Sequence, residues 1–330
     1  MSTTRHVLLT GAGFTHNFGA PLADGVWNLL LAHPAVEKTP RVRALLLQNQ
    51  NFEDAYHLIE NGAEFSPSER TAIEAAVRDA YDHIDAILRE WRLSGSSPYP
   101  VNVYGLQNFI ARFSGTVAEP GLFFTLNQDL FVERHYYNGS RPSLPGIQHH
   151  PEWFSANWCH AEQTAGHRRI VPASAVPSDL IAGKGFLYVK LHGSQNWYSS
   201  SGRQRMVIGR YKTEQIANEP LLAAYWQIYK EAMCRPGVKL FTVGYGFADE
   251  HVNSVISDAV TTHGLRVYVL SPGSASTLRA QIEKAPHGPS IWNGLGAHYS
   301  ATLAEVFPGN QATTALWNKI ESSFFREGAG

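Results

Sequence analysis

Cysteine is nearly absent: 330 residues hold two, Cys159 and Cys234. No CxxC pair occurs, which excludes a four-cysteine structural zinc site. Two cysteines build no disulfide framework, so the expectation is reduced thiols and a cytoplasmic location. Charge is also scarce. Asp, Glu, Lys and Arg make up only 17%, and 27 basic against 28 acidic residues leave a net charge of −1. A protein that grips nucleic acid unaided carries a basic footprint, so no direct nucleic-acid binding is expected. No apolar run approaches the roughly 20 residues that a membrane span needs, so no membrane association is expected either. The polar start Met1–His6 runs straight into an apolar strand and does not read as a signal peptide. Walker, GxSxG and HExxH motifs are missing, as are internal repeats and low-complexity tracts.

What is present is a globular composition: 44% apolar and 12% aromatic residues. Disorder is not expected on that ground. Low charge with many aromatics predicts a chain that hides surface, as in a homo-oligomer. Short apolar runs bounded by Gly, Ser, Pro or Asn predict strands at Val7–Thr10, Gly121–Thr125, Phe186–Leu191, Lys239–Val243 and Arg266–Leu270. Helical stretches between them predict an α/β fold with a mainly parallel sheet. Val42–Leu47, Asn51–Ile59 and Pro67–Leu93 read as helices, with Ser66 and Glu69 in capping-box positions. This predicts a helical insertion over 40–100 within a single domain spanning 1–330. The segment 134–185, rich in His, Pro, Trp and Ser, reads as an irregular insertion. A hairpin is expected over Trp197–Lys212, with Ser201-Gly202 in its turn.

The strand ends carry the chemistry. The first ends in Gly11-Ala12-Gly13-Phe14-Thr15, the second in Thr125-Leu126-Asn127-Gln128-Asp129. The third ends in Leu191-His192-Gly193-Ser194, the fourth in Gly244-Tyr245-Gly246-Phe247-Ala248-Asp249. A GxG turn lets backbone approach a ligand and offers N–H groups to a phosphate, or simply makes a tight turn. A histidine after a strand, or Asn-x-Asp in a turn, has an equally plain structural reading. Their recurrence at the same end of successive strands favours a site, because ligands of doubly wound sheets sit beyond those ends. Elsewhere the residues read as structure. Arg78, Asp79, Asp82, Asp85 and Arg89 form a solvated helix face, and Tyr225, Trp226 and Tyr229 form core or interface. His149, His150, Cys159, His160 and His167 fit no common metal template, so no metal is expected.

The ordered set GAGFT, TLNQD, LHGS, GYGFADEHVN and VLSP, spread from residue 5 to about 308, resembles the sirtuin family. LHGSQNW and GYGFADEHVN resemble the sirtuin-like domains of bacterial antiphage defence more than the protein deacylases. The resemblance implies a Rossmann-like sheet of sirtuin type, without a zinc module, and an NAD site across its C-terminal edge. NAD would be the substrate. Gly11, Ala12 and Gly13 would contact the pyrophosphate, and Phe14 and Thr15 would lie near the nicotinamide ribose. Asn127 would stand beside the ribose and the attacked carbon, Asp129 would receive the carboxamide, and His192 would be the general base. Gly244, Tyr245 and Asp249 would line the phosphates and ribose, and Ser271 the adenosine end. Leu126 stands where the deacylase motif has glutamine, and Gly19–Asp24 lacks that family's arginine. Water is then the natural nucleophile, which implies an NAD glycohydrolase. Its implied role is to deplete NAD during infection under control of a partner, a HerA-type hexameric ATPase or, alternatively, a short Argonaute. Two other readings stay open: a silent NAD or ADP-ribose sensor, and a deacylase or ADP-ribosyltransferase.

Overall fold

The computed structural model describes residues 5–90, 101–136, 139–140, 142–148, 168–170, 176, 180–198, 204–209 and 211–326. Six parallel strands form its central sheet: β1 Arg5–Thr10, β2 Gly121–Thr125, β3 Phe186–Lys190, β4 Val238–Val243, β5 Arg266–Ser271 and β6 Leu295–Ser300. Their spatial order is β6-β5-β4-β1-β2-β3. The chain winds outward from β1 in one direction, returns, and winds outward in the other. That is the doubly wound, Rossmann-like order, with its reversal between β1 and β4. β2 and β3 are buried along their whole length, as a sheet covered on both faces requires. Five strands fall where the apolar runs predict them. β6 was not predicted. Its sequence LGAHYS is a half-exposed edge strand with a single fully buried residue, so it lacks an apolar run.

Helices α1 Ala12–His16, α2 Ala23–Leu31, α3 Pro34–Glu37, α4 Pro40–Gln48, α5 Phe52–Asn61, α6 Pro67–Glu90 and α7 Val103–Ala111 separate β1 from β2. The helical region therefore begins well before residue 40, since α2 and α3 pack against α6. Periodicity explains α6: Ile73, Ala76, Val77, Ala80, Ile84 and Leu88 recur at three- and four-residue spacing and are buried. Its capping box forms as expected. Glu69 N–H donates to Ser66 Oγ at 3.3 Å, and Ser66 N–H donates to Glu69 Oε2 at 2.7 Å. Asn51 is the N-cap of α5, not its first turn, accepting from Glu53 and Asp54. Trp91–Leu93 lie outside the described residues. Side chains from these helices and from the sheet belong to one contiguous core.

Asp85 corrects the solvated-face reading. It is buried and binds Arg134 through two hydrogen bonds, Nε to Oδ1 at 2.8 Å and Nη2 to Oδ2 at 2.7 Å. Arg134 lies on α8 Phe131–His135, so this pair ties the helical region to the segment after β2. That segment is not wholly irregular. Ile147–Gln148 and Arg168–Ile170 join Gly193–Tyr198 and Gln204–Met206 in a second, four-stranded sheet. The last two strands form the expected hairpin, starting four residues earlier than predicted. Its Ser201-Gly202 turn and the His149, His150, Cys159, His160 and His167 cluster lie outside the described residues. The remaining helices are α9 Lys212–Ala217, α10 Pro220–Met233, α11 Glu250–His263, α12 Ala275–Lys284, α13 Gly288–Asn293, α14 Leu303–Val306 and α15 Ala315–Ile320, the last continued by a π-helix over Glu321–Arg326. Among the described residues, no helix is long and apolar enough to cross a membrane.

Candidate active site

The site is assembled where the winding reverses. The turn after β1 and the turn after β4 lie backbone on backbone. Gly11 N–H donates to Val243 O at 3.1 Å, and Gly13 N–H to Gly244 O at 3.0 Å. Gly244 has φ +63°, and a Cβ there would lie 2.2 Å from Gly13 C and Phe14 N. A Cβ on Gly13 would lie 2.7 Å from Gly244 Cα. The glycines are thus required by the meeting of two turns. The Gly11 and Gly13 amides, together with Phe14 N–H, which donates to Gly11 O at 2.8 Å, are engaged by protein acceptors. The β4 turn is pinned by Asn253, fully buried on α11. Its amide donates to Phe247 O at 2.6 Å and to Pro286 O at 3.0 Å, and its Oδ1 accepts from Tyr245 at 2.8 Å. This grip holds Phe247 in the left-handed region at φ +56°, where a bulky side chain is strained.

Beyond β2, Asn127 is buried and its Nδ2 donates to Thr15 Oγ1 at 3.2 Å, across 112 residues of sequence. Asn127 N–H donates to Thr125 Oγ1, so backbone and side chain are both set. Gln128 joins three elements. Tyr81 on α6 donates to its Oε1, while its Nε2 donates to Val207 O at 2.8 Å and His192 O at 3.3 Å. Asp129 is buried and accepts from Phe131 N–H at 3.0 Å. Burial pushes its carboxyl above the usual carboxylate range, against the pull of the nearby Lys190 ammonium. Lys190, with no exposed surface, reaches from β3 to Glu133 at 2.7 Å and to the Asp129 carbonyl.

Beyond β3, His192 Nε2 lies 3.0 Å from His251 Nε2 on α11, and Trp226 packs against the His251 ring with centroids 5.1 Å apart. Burial drives His192 well below the ordinary histidine value, and Lys212 adds to the effect. Burial likewise lowers His251 to about 4. Both rings are therefore neutral near pH 7. Asp249, one position before α11, accepts from Lys212 Nζ at 2.7 Å, and Lys212 also binds Glu53 of α5 at 2.8 Å. Burial alone would raise the Asp249 carboxyl; facing His192 and Lys212 outweigh it and hold it at about 2. With the rings neutral, Lys212 is the cation responsible. Burial also acts to lower Lys212, and its two carboxylate partners raise it instead.

Of the expected residues, Thr15, Asn127, Asp129, His192, Gly244 and Asp249 share this C-terminal edge, with Gly11, Ala12 and Gly13 in the adjoining turn. The Phe14 ring points elsewhere, packing edge-on to Phe18 and Phe131 in the core. The Tyr245 side chain is likewise buried, serving Asn253. Ser271 ends the neighbouring strand, with its hydroxyl 3.3 Å from His298 Nε2. His251, Lys212, Glu53, Trp226 and Gln128 were missed. His251 left a signal, two positions after Asp249 in the same run, as did Gln128, between Asn127 and Asp129; Lys212 and Glu53 meet the site by packing alone. No protein-family model matches the chain, and no curated protein matches it.

Proposed function

We propose that this chain is an NAD glycohydrolase, splitting NAD into nicotinamide and ADP-ribose. The observation that carries this reading is that Asn127, bonded to Thr15 of the β1 turn, and His192, paired with His251 beyond the β4 turn, line the C-terminal sheet edge that runs from the winding reversal. That is where a doubly wound sheet takes a dinucleotide. Its sirtuin type, without a zinc module, rests on the resemblance carried by the strand-end motifs.

The roles follow from what each side chain has left to offer. Thr15 engages the Asn127 amide, which leaves Asn127 Oδ1 to accept from a ribose hydroxyl or an attacking water. The N-glycosidic bond breaks through an oxocarbenium-like state; nicotinamide leaves neutral and needs no strong acid. The water oxygen bonds to C1′ and its proton passes to a base. His192 would be that base, with His251 Nε2 placed to share the proton; burial makes the His192 ring a weaker base than a free histidine. The ionised Asp249 supplies negative charge near a cationic ribose. Asp129, its carboxyl raised by burial, fits a partner for the carboxamide. In the cell the reading is an antiphage effector that depletes NAD, assembled as a homo-oligomer and governed by a HerA-type ATPase. The low charge and high aromatic content support such an assembly.

The test is incubation of purified protein with NAD, following nicotinamide and ADP-ribose by chromatography, with Asn127→Ala and His192→Ala as controls. Release that both substitutions abolish, in folded protein, is the expected result. NAD bound but not cleaved, with the ATPase added, would replace this reading by the sensor.

A further inference from the structure

We infer that His192, His251 and Asp249 form a binding site for a divalent transition cation of the zinc class, and that the bound ion silences hydrolysis. The silencing half rests on the glycohydrolase reading; the binding half does not.

The two Nε2 atoms face each other at 3.0 Å. At most one hydrogen fits between two ring nitrogens 3.0 Å apart, so at least one bare lone pair is aimed at the other ring. A carboxylate oxygen of Asp249 lies within 4.8 Å of a ring nitrogen of each histidine. Zinc bound by imidazole at about 2.0–2.1 Å sets neighbouring ligand atoms about 3.4 Å apart in a tetrahedron. The rings need to part by a few tenths of an ångström and the carboxylate to close in. A hydrogen held between the two Nε2 atoms leaves as the ion enters, to Nδ1 or to solvent. Two nitrogens and one carboxylate leave a fourth position for water and favour zinc-class ions over magnesium or calcium.

The surroundings suit a cation. Two carboxylates, Glu53 and Asp249, converge on one ammonium, Lys212, beside the two rings. Lys212 is the natural competitor: it holds Asp249 when the metal is absent. His192 Nε2 cannot ligate a metal and accept a proton from water at once, so an occupied site is an inactive one.

Equilibrium dialysis against Zn2+, with metal counted per chain, tests the binding. One ion per chain is expected in the wild type and in Asn127→Ala, which retains all three ligands. His251→Ala and His251→Gln are expected to weaken binding about tenfold or more. Lys212→Met is expected to tighten it about tenfold, by freeing Asp249 from its ammonium. Co2+ is expected to give the strong visible bands of a four-coordinate ion. Wild-type binding no tighter than in either His251 variant, each checked for folding by circular dichroism, would overturn the site. Zinc binding without NAD cleavage in chelator, with the ATPase added, would remove only the hydrolase reading. NAD cleavage unslowed at saturating zinc would remove only the silencing.

Discussion

Gly13 N–H donates to Gly244 O at 3.0 Å, and each glycine occupies the space where the other would need a Cβ. Two turns that belong to different halves of the sheet are thereby locked at the winding reversal. Gly244→Ala combines a left-handed backbone with a backbone clash, and is expected to cost about 3 kcal/mol or more. Urea denaturation measures it. A loss below about 1 kcal/mol would mean that the turns can separate freely.

Thr15→Val keeps the shape of the side chain and removes the acceptor that orients Asn127. Nicotinamide release is expected to fall about tenfold in kcat with little change in KM. Stability should fall by about 1–3 kcal/mol, since the buried Asn127 amide loses its acceptor and the Thr15 hydroxyl also serves Ala12 O and Asp129. Unchanged kcat would show that Thr15 does not orient Asn127.

Asp85→Ala leaves the Arg134 guanidinium buried without its two-point partner, which costs about 3–5 kcal/mol. Replacing both, as Asp85→Leu with Arg134→Met, is expected to recover much of that loss. A double variant as unstable as the single one would contradict the charge-based account.

His135 gives the acid dependence. It is buried, it bonds to Leu88 O at 2.6 Å, and burial lowers it to about 4. The unfolded chain takes up the proton near pH 6.5, whereas the folded chain resists until about pH 4. Stability is therefore full above that range and falls as pH drops through it, by about 3 kcal/mol. His135→Asn is expected to flatten this slope in thermal melts. An unaltered slope would assign it to other groups, such as His6, also lowered to about 4 by burial.

The fold was largely legible because parallel strands are buried on both faces and advertise themselves as apolar runs. β6 was not, since an edge strand needs no such run. The site was half legible. Asn127, His192 and Asp249 follow directly on strand ends, and a strand end has one position in a doubly wound sheet. Phe14 and Tyr245 stand equally close in sequence, yet their side chains turn to the core, which adjacency cannot decide.

By itself, then, the sequence determined the α/β class, five of the six strands, the capping of α6, and the turns that would carry polar groups. These are local properties, settled by propensity, periodicity and burial within a few residues. Only the tertiary structure decided that Glu53 and Lys212 reach Asp249, that Asp85 is buried against Arg134, and that His192 faces His251. Each of those pairs joins segments that meet because the core packs them together, and the resulting contact leaves no trace in the local sequence of either partner.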